Sequence, residues 1–353
     1  VKIVTPIRVI VIDDSAFMRK MITDILESDS RIHVIATARN GEDGLKKIQE
    51  LSPDVVTLDV EMPVMDGITA LTQIMDTNPL PVVMLSSLTK DATNSTLQAI
   101  TSGAVDFITK PSGSISLDIA TIKQEIITKV IAASQVDVTK KRETTETPKL
   151  VATKQLYAKT LVLIGASTGG PRALQRLIMD LPNDFSSPVL IVQHMPAGFT
   201  KSLAERLNNL SALHIKEATH GEIIKERTVY IAPGDYHMKI RRVGTSHAIE
   251  LTGEKERAGH RPAVDVLFES AAEIARMNKV AVVLTGMGSD GSSGIETLKM
   301  HDPDAIVLAE SEESAIIYGM PKAAIKTNAV NYIVHLHQMG EMIYKLTNRS
   351  GGM

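Results

Sequence analysis

The chain has 353 residues, 38 lysines and arginines against 41 aspartates and glutamates, and no cysteine or tryptophan. That length exceeds one typical domain, and the lack of cysteine removes disulfides, zinc thiolates and thiol nucleophiles together. Neither half is basic, with 17 basic and 20 acidic residues up to position 155 and 21 of each after it, which argues against a nucleic-acid partner. No apolar run reaches the ~20 residues that span a bilayer, and the start, Val1–Ile12, lacks the apolar stretch of a signal peptide. The expectation is a cytoplasmic protein without membrane insertion, and 43% hydrophobic residues are enough for two real cores.

In the first half, apolar runs at Ile7–Ile12, Ile32–Ala36, Val55–Leu58, Val82–Leu85 and Val105–Ile108 each precede a stretch with helical spacing. Five βα units with continuous β-branched runs predict a parallel sheet covered on both faces. Such sheets bind ligands beyond the carboxyl ends of their strands. At those ends stand Asp13-Asp14, Asp59, Ser86-Ser87 and Lys110-Pro111. Three carboxylates gathered at one edge repel one another unless a cation joins them, and hard oxygen ligands with open water positions suit Mg²⁺. Beside such an ion, the Ser86 hydroxyl and the Lys110 ammonium would hold the oxygens of a phosphoryl group.

With these residues, Met62-Pro63 and Asp66-Gly67 in place, the segment from residue 7 to about 130 resembles a response-regulator receiver domain, a flavodoxin-like fold. The resemblance implies that Asp59 accepts a phosphoryl group from a histidine kinase. It also implies that Asp14, Asp59 and the Glu61 carbonyl ligate Mg²⁺, with Asp13 acting through water. Ser86 and Lys110 would sense the phosphoryl group, with Phe107 at the aromatic switch position.

From Ser134 to Gln155 the apolar periodicity breaks into threonine and mixed charge, a composition that reads as a mobile linker. The predicted organisation is a receiver over 1–133, a linker over 134–157 and a second α/β domain over 158–353.

The second domain opens on a strand, Thr160–Ile164, that runs into Gly165-Ala166-Ser167-Thr168-Gly169-Gly170-Pro171 and then a helical pattern from Arg172. The five residues from Gly165 fit G-x-S-x-G, the elbow that raises a serine above a sheet and aims helix amides at an oxyanion. Ser167 is therefore the candidate nucleophile. Glycine-rich turns also hold phosphates, so a nucleotide-binding output protein is an alternative, although the spacing matches neither common nucleotide fingerprint.

A serine needs a histidine base and a carboxylate to orient it. Nine of the ten histidines follow residue 155, so strand ends must discriminate among them. His194 ends the run Pro188–Val192 and is the first choice; His237 and His260 rank second, and His214, His220, His247 and His301 lie in stretches that read as surface or loop. For the acid, Val280–Leu284 empties into a glycine-rich turn carrying Asp290, with Asp235 and Glu310 as decoys. The order Ser, His, Asp differs from that of ordinary α/β-hydrolases. Backbone amides near Thr168 and Met287 are the candidate oxyanion donors.

The blocks Gly165–Gly170, Gln193–Pro196, Tyr230–Asp235, Val264–Phe268, Leu284–Gly288 and Gly319–Pro321 make the region from about 158 onward similar to the catalytic domain of chemotaxis protein-glutamate methylesterases. The pattern departs modestly: Met300–Asp304 lacks an expected glycine, and Tyr318 replaces a common Phe. The resemblance implies two doubly wound parallel-sheet domains, the second a Rossmann-like serine hydrolase. Its triad would be Ser167, His194 and Asp290, without a cofactor, and its substrates the methyl esters, and in many members the glutamines, of methylated chemoreceptors. A receiver joined to such a domain predicts inhibition relieved by phosphorylation. A receiver-controlled transcriptional regulator is the runner-up, but no helix-turn-helix or basic face is present to support it.

Overall fold

The computed structural model describes residues 5–110, 119–138 and 159–348, and the chain divides into two compact units between Lys141 and Arg142. Pro111 and residues 139–158, which hold most of the expected linker, lie outside the described residues. No helix among the described residues is long and apolar enough to cross a membrane.

The first unit alternates β1 (Ile7–Ile12), α1 (Ala16–Glu27), β2 (Ile32–Ala38), α2 (Gly41–Leu51), β3 (Val55–Asp59), α3 (Gly67–Thr77), β4 (Val82–Ser86), α4 (Lys90–Thr101), β5 (Asp106–Thr109) and α5 (Ile119–Ala133). The strands form one parallel sheet in the order β2-β1-β3-β4-β5. Every residue of β3 and β4 is buried, as the unbroken Val and Leu runs require of strands covered on both faces. Helices α1 to α4 each open on a polar cap: Ser15, Asn40, Asp66 and Thr89 accept from the amides of Met18, Asp43, Thr69 and Ala92. Chain order reverses between β1 and β3, so a crevice opens beyond Ile12 and Asp59.

The second unit comprises β6 (Thr160–Ala166), α6 (Gly170–Asp180), β7 (Val189–Gln193), α7 (Phe199–Leu210), β8 (His214–Glu217), β9 (Thr228–Ile231), β10 (His237–Val243), β11 (Ser246–Thr252) and α8 (Val264–Ala272). It continues with β12 (Asn278–Val283), α9 (Ser292–His301), β13 (Ile306–Glu310), α10 (Met320–Lys326), β14 (Tyr332–Val334) and α11 (Leu336–Thr347). Seven parallel strands follow the order β14-β13-β12-β6-β7-β9-β8, and β10 pairs with β11 as a separate antiparallel hairpin.

Two of the histidines read as surface or loop lie in strands: exposed His214 heads β8 and half-buried His247 sits in β11. Their strands escaped a search for apolar runs because β8 is short and polar, and the far half of β10, Arg241–Val243, is exposed. The core under the sheet joins Leu161, Leu163, Leu190 and Val192 to Leu267 and Phe268 of α8. Full burial of side chains this size is worth about 1.5–3 kcal/mol each. Strand order reverses between β6 and β12, which places the second crevice beyond Ala166 and Val283.

Candidate functional site

Ser167 leaves the end of β6 on a backbone held from three sides. Its amide donates to Thr285 O (3.0 Å), and its carbonyl accepts from Gly170 N (2.7 Å) and Gln193 Nε2 (2.9 Å). The turn needs glycine at 169, where φ is +78° and a Cβ would lie 2.7 Å from Ile316 Cβ. The following helix, α6, has Gly169 as its N-cap, makes no side-chain cap bond and carries Pro171 in its first turn. Of its first-turn amides, Gly170 N is taken by Ser167 O and Ala173 N by Gly169 O, and Pro171 has no N–H to offer.

Across the crevice, the turn after β12 packs on the serine. Gly286 lies so close that a Cβ there would sit 2.7 Å from Ser167 Cβ. The Gly286 carbonyl accepts from the amides of Gly319 (3.1 Å) and Met320 (2.8 Å) at the start of α10. In a trans peptide the N–H points opposite to the C=O, so the Met287 amide is turned away from α10. Thr168 is buried and its carbonyl accepts from Thr285 Oγ1 (2.9 Å), tying the two turns together.

His194 follows β7, the neighbour of β6, and its amide donates to Ala166 O (3.1 Å). Its Nε2 lies 2.7 Å from Asp290 Oδ2, with the two side chains 7% and 2% exposed. Asp290 also accepts from Val264 N (2.7 Å), Asp265 N (2.9 Å) and Gly291 N (3.0 Å). Burial pushes the Asp290 carboxyl up, but the His194 bond and charge and the Asp265 and Val264 amides outweigh it, leaving the group below the usual carboxylate range. An ionised Asp290 only accepts, so Nε2 carries the proton and the lone pair is on Nδ1, a buried atom with no hydrogen-bond partner among the described residues. Among those residues no hydrogen bond joins Ser167 Oγ to the imidazole.

The other candidates have structural duties. His237 is buried, its Nδ1 accepts from Ala263 N (3.2 Å) and its Nε2 faces Lys255 O (3.0 Å), so both ring nitrogens are used. Asp235 is exposed at φ +69°. Glu310 is fully buried and holds Thr285 N (2.8 Å) and Ser314 Oγ (2.9 Å). Sequence reasoning missed Asp265: its Oδ1 accepts from Gly291 N (2.9 Å) and Gly294 N (2.6 Å), so Asp265 and Asp290 each grip the other's helix entrance. Burial, then the Asp290 and Glu269 charges, push its carboxyl up to about 6 against the pull of those amides. An acid in the first turn of α8 was the available signal.

In the first unit the strand ends bring Asp13, Asp14 and Asp59 within 4.8 Å of one another. Lys110 Nζ bridges Asp13 Oδ2 (2.9 Å) and Asp59 Oδ2 (2.7 Å). Burial pushes Asp59 up to about 6 in spite of that lysine. Three carboxylates against one ammonium leave negative charge uncompensated, which fits a divalent cation held by oxygen donors. Glu61 lies beside the cluster, its amide 3.4 Å from Asp59 Oδ1. The carbonyl of Ser86 accepts from Lys110 N (2.7 Å), while its buried hydroxyl accepts from Thr96 Oγ1 (2.6 Å) and donates to Ser87 O (3.1 Å). Phe107 is also buried, with Lys129 Nζ 5.0 Å from its ring centre.

Comparison with known proteins matches residues 162–343 to the CheB methylesterase family and residues 9–122 to the response regulator receiver domain. A protein-glutamate methylesterase/protein-glutamine glutaminase of Oceanobacillus iheyensis is 53% identical over 96% of this chain and 98% of its own length. The enzyme of the same description from Bacillus subtilis is 46% identical over 96% of this chain and 97% of its own. Among solved structures, the CheB methylesterase catalytic domain of Thermotoga maritima is 41% identical and aligns with a TM-score of 0.52, covering 53% of this chain and 98% of that one.

Proposed function

The chain belongs to the CheB methylesterase family, with a response-regulator receiver ahead of the hydrolase, and from that premise we propose that Ser167, His194 and Asp290 are its catalytic triad and Asp59 its phosphoacceptor. The protein is a protein-glutamate methylesterase/protein-glutamine glutaminase of chemotaxis under receiver control. The observation that carries the residue assignment is the buried 2.7 Å contact between His194 Nε2 and Asp290 Oδ2 beside the Ser167 elbow.

In this reading the substrate is a glutamyl methyl ester on a methylated chemoreceptor. Ser167 Oγ attacks the ester carbonyl as His194 Nδ1 takes its proton. The resulting oxyanion is held by the amides of Thr168 and Met287, whose turns pack against Ser167, and the imidazolium is held by Asp290. Collapse expels methoxide, which takes the proton from Nδ1 and leaves as methanol. Water then adds to the acyl-enzyme, giving one proton to Nδ1; collapse returns that proton to Ser167 Oγ and frees the glutamic acid, which loses its remaining proton to solvent as the carboxylate. With glutamine as substrate, the same steps release ammonia.

On the receiver, Asp59 takes the phosphoryl group from a chemotaxis histidine kinase. Asp13, Asp14, Asp59 and the Glu61 carbonyl would hold Mg²⁺, which when bound offsets the phosphoryl charge. Lys110 pairs with the phosphoryl oxygens, and Ser86 leaves Thr96 to join it. Methanol release from methylated receptor membranes tests the assignment: Ser167→Ala is expected to abolish turnover while the protein stays folded, and retained release sinks it.

A further inference from the structure

His260 lies face to face with His194: the ring centroids are 3.8 Å apart and the planes 14° from parallel. We propose that His260 is a positioning residue that holds the His194 imidazole in the plane needed for proton transfer, an inference that rests on the triad reading above. Among the described residues His194 has one ring hydrogen bond, from Nε2 to Asp290, and its buried Nδ1 has no partner. One bond fixes a line and leaves the plane free, and the terminal torsion of histidine has a broad profile, so rocking would swing Nδ1 away from Ser167. A parallel ring in van der Waals contact removes that freedom.

The platform carrying His260 is braced for this. Arg257 and His260 exchange backbone hydrogen bonds at 3.1 and 3.0 Å around Ala258 (φ +52°) and Gly259 (φ +80°). The Arg257 guanidinium grips Glu269 of α8 with bonds of 3.0 and 2.7 Å. Both ends of the segment are pinned by His237, whose ring bonds Lys255 O and Ala263 N. The amides of the next two residues, Val264 and Asp265, hold Asp290. One braced stretch, 255–265, thus touches the face of the base and the carboxylate behind it. This accounts for His237 and His260, the two histidines ranked second as candidate bases.

The test is kcat and KM for methanol release from methylated receptor membranes by the full chain. His260→Ala is expected to lower kcat roughly ten- to a hundredfold with KM within about twofold of wild type, because the ring acts on the base and not on substrate. His260→Phe is expected to recover kcat to within about threefold, because a ring of similar breadth can stack. Should the alanine variant fail to fold, His260→Asn takes its place as a side chain of similar polarity with no ring face. An Ala or Asn variant with kcat within twofold of wild type overturns the proposal, as does a Phe variant no better than Ala. Ser167→Ala in the same assay keeps the two readings apart: turnover surviving there defeats the triad itself, whereas a dead Ser167→Ala beside a fully active His260→Ala defeats only the stacking role.

Discussion

Gly286→Ala puts a single methyl group where the structure has least room for it. Gly286 is fixed on both sides, its amide donating to Ile317 O (3.0 Å) and its carbonyl accepting from Gly319 and Met320. The added Cβ would stand 2.3 Å from Met320 Sδ, 2.7 Å from Ser167 Cβ and 3.1 Å from Ser167 N, where ordinary contact begins at 3.4 Å. A gap of about 1 Å must open. Met320 is completely buried and cannot swing into solvent, while Ser167 is tied through its amide and carbonyl to Thr285, Gly170 and Gln193. Overpacking of this kind costs about 1–3 kcal/mol of stability. A nucleophile displaced by about 1 Å loses on the order of 100-fold in turnover. Methanol release and denaturant unfolding measure the two effects separately. A variant with kcat within threefold of wild type and unfolding free energy within about 0.5 kcal/mol would falsify the claim that this turn sets the position of Ser167.

Asp290→Asn leaves the shape intact but lets the amide hydrogen-bond the wrong tautomer of His194, so kcat is expected to fall on the order of 10³–10⁴-fold; a loss under tenfold contradicts the assigned role. Asp59→Asn is expected to erase any rise in methanol release on adding a small phosphodonor. Chelating divalent cations should erase the same rise in wild type, and a response that persists in chelator rules out the metal assignment. Deleting residues 1–155 is expected to raise basal methanol release, and equal or lower activity argues against restraint by the receiver. The folded protein keeps the Asp265 proton up to about pH 6, whereas the ordinary value is 3.8. Its contribution to stability is therefore present below about pH 4 and lost as pH rises through about 6. Chemical denaturation across that window should show a wild-type decline that Asp265→Asn removes; parallel curves contradict it.

Much of the site could be read in the order of residues alone. Continuous runs such as Val55–Leu58 and Val280–Leu284 announce strands buried on both faces, and the structure places β3 and β12 there. The groups that follow such strands, Asp13, Asp59, Ser167, His194 and Asp290, come from a rule about where parallel sheets keep their ligands, which depends only on chain direction. Short or half-exposed strands, β8, β10, β11 and β14, carry no such run and stayed illegible. Tertiary structure alone decided which nitrogen of His194 meets Asp290, that Ser86 turns to Thr96, and that His237 is held at both nitrogens. It also decided that Asp265 and Asp290 cross-grip two helix entrances and that His260 lies on His194. Periodicity reports which face of an element is apolar. It says nothing of the angle at which a side chain meets a partner 25 or 96 residues away, because that angle is set by how helices and loops from distant parts of the chain settle on the finished sheet.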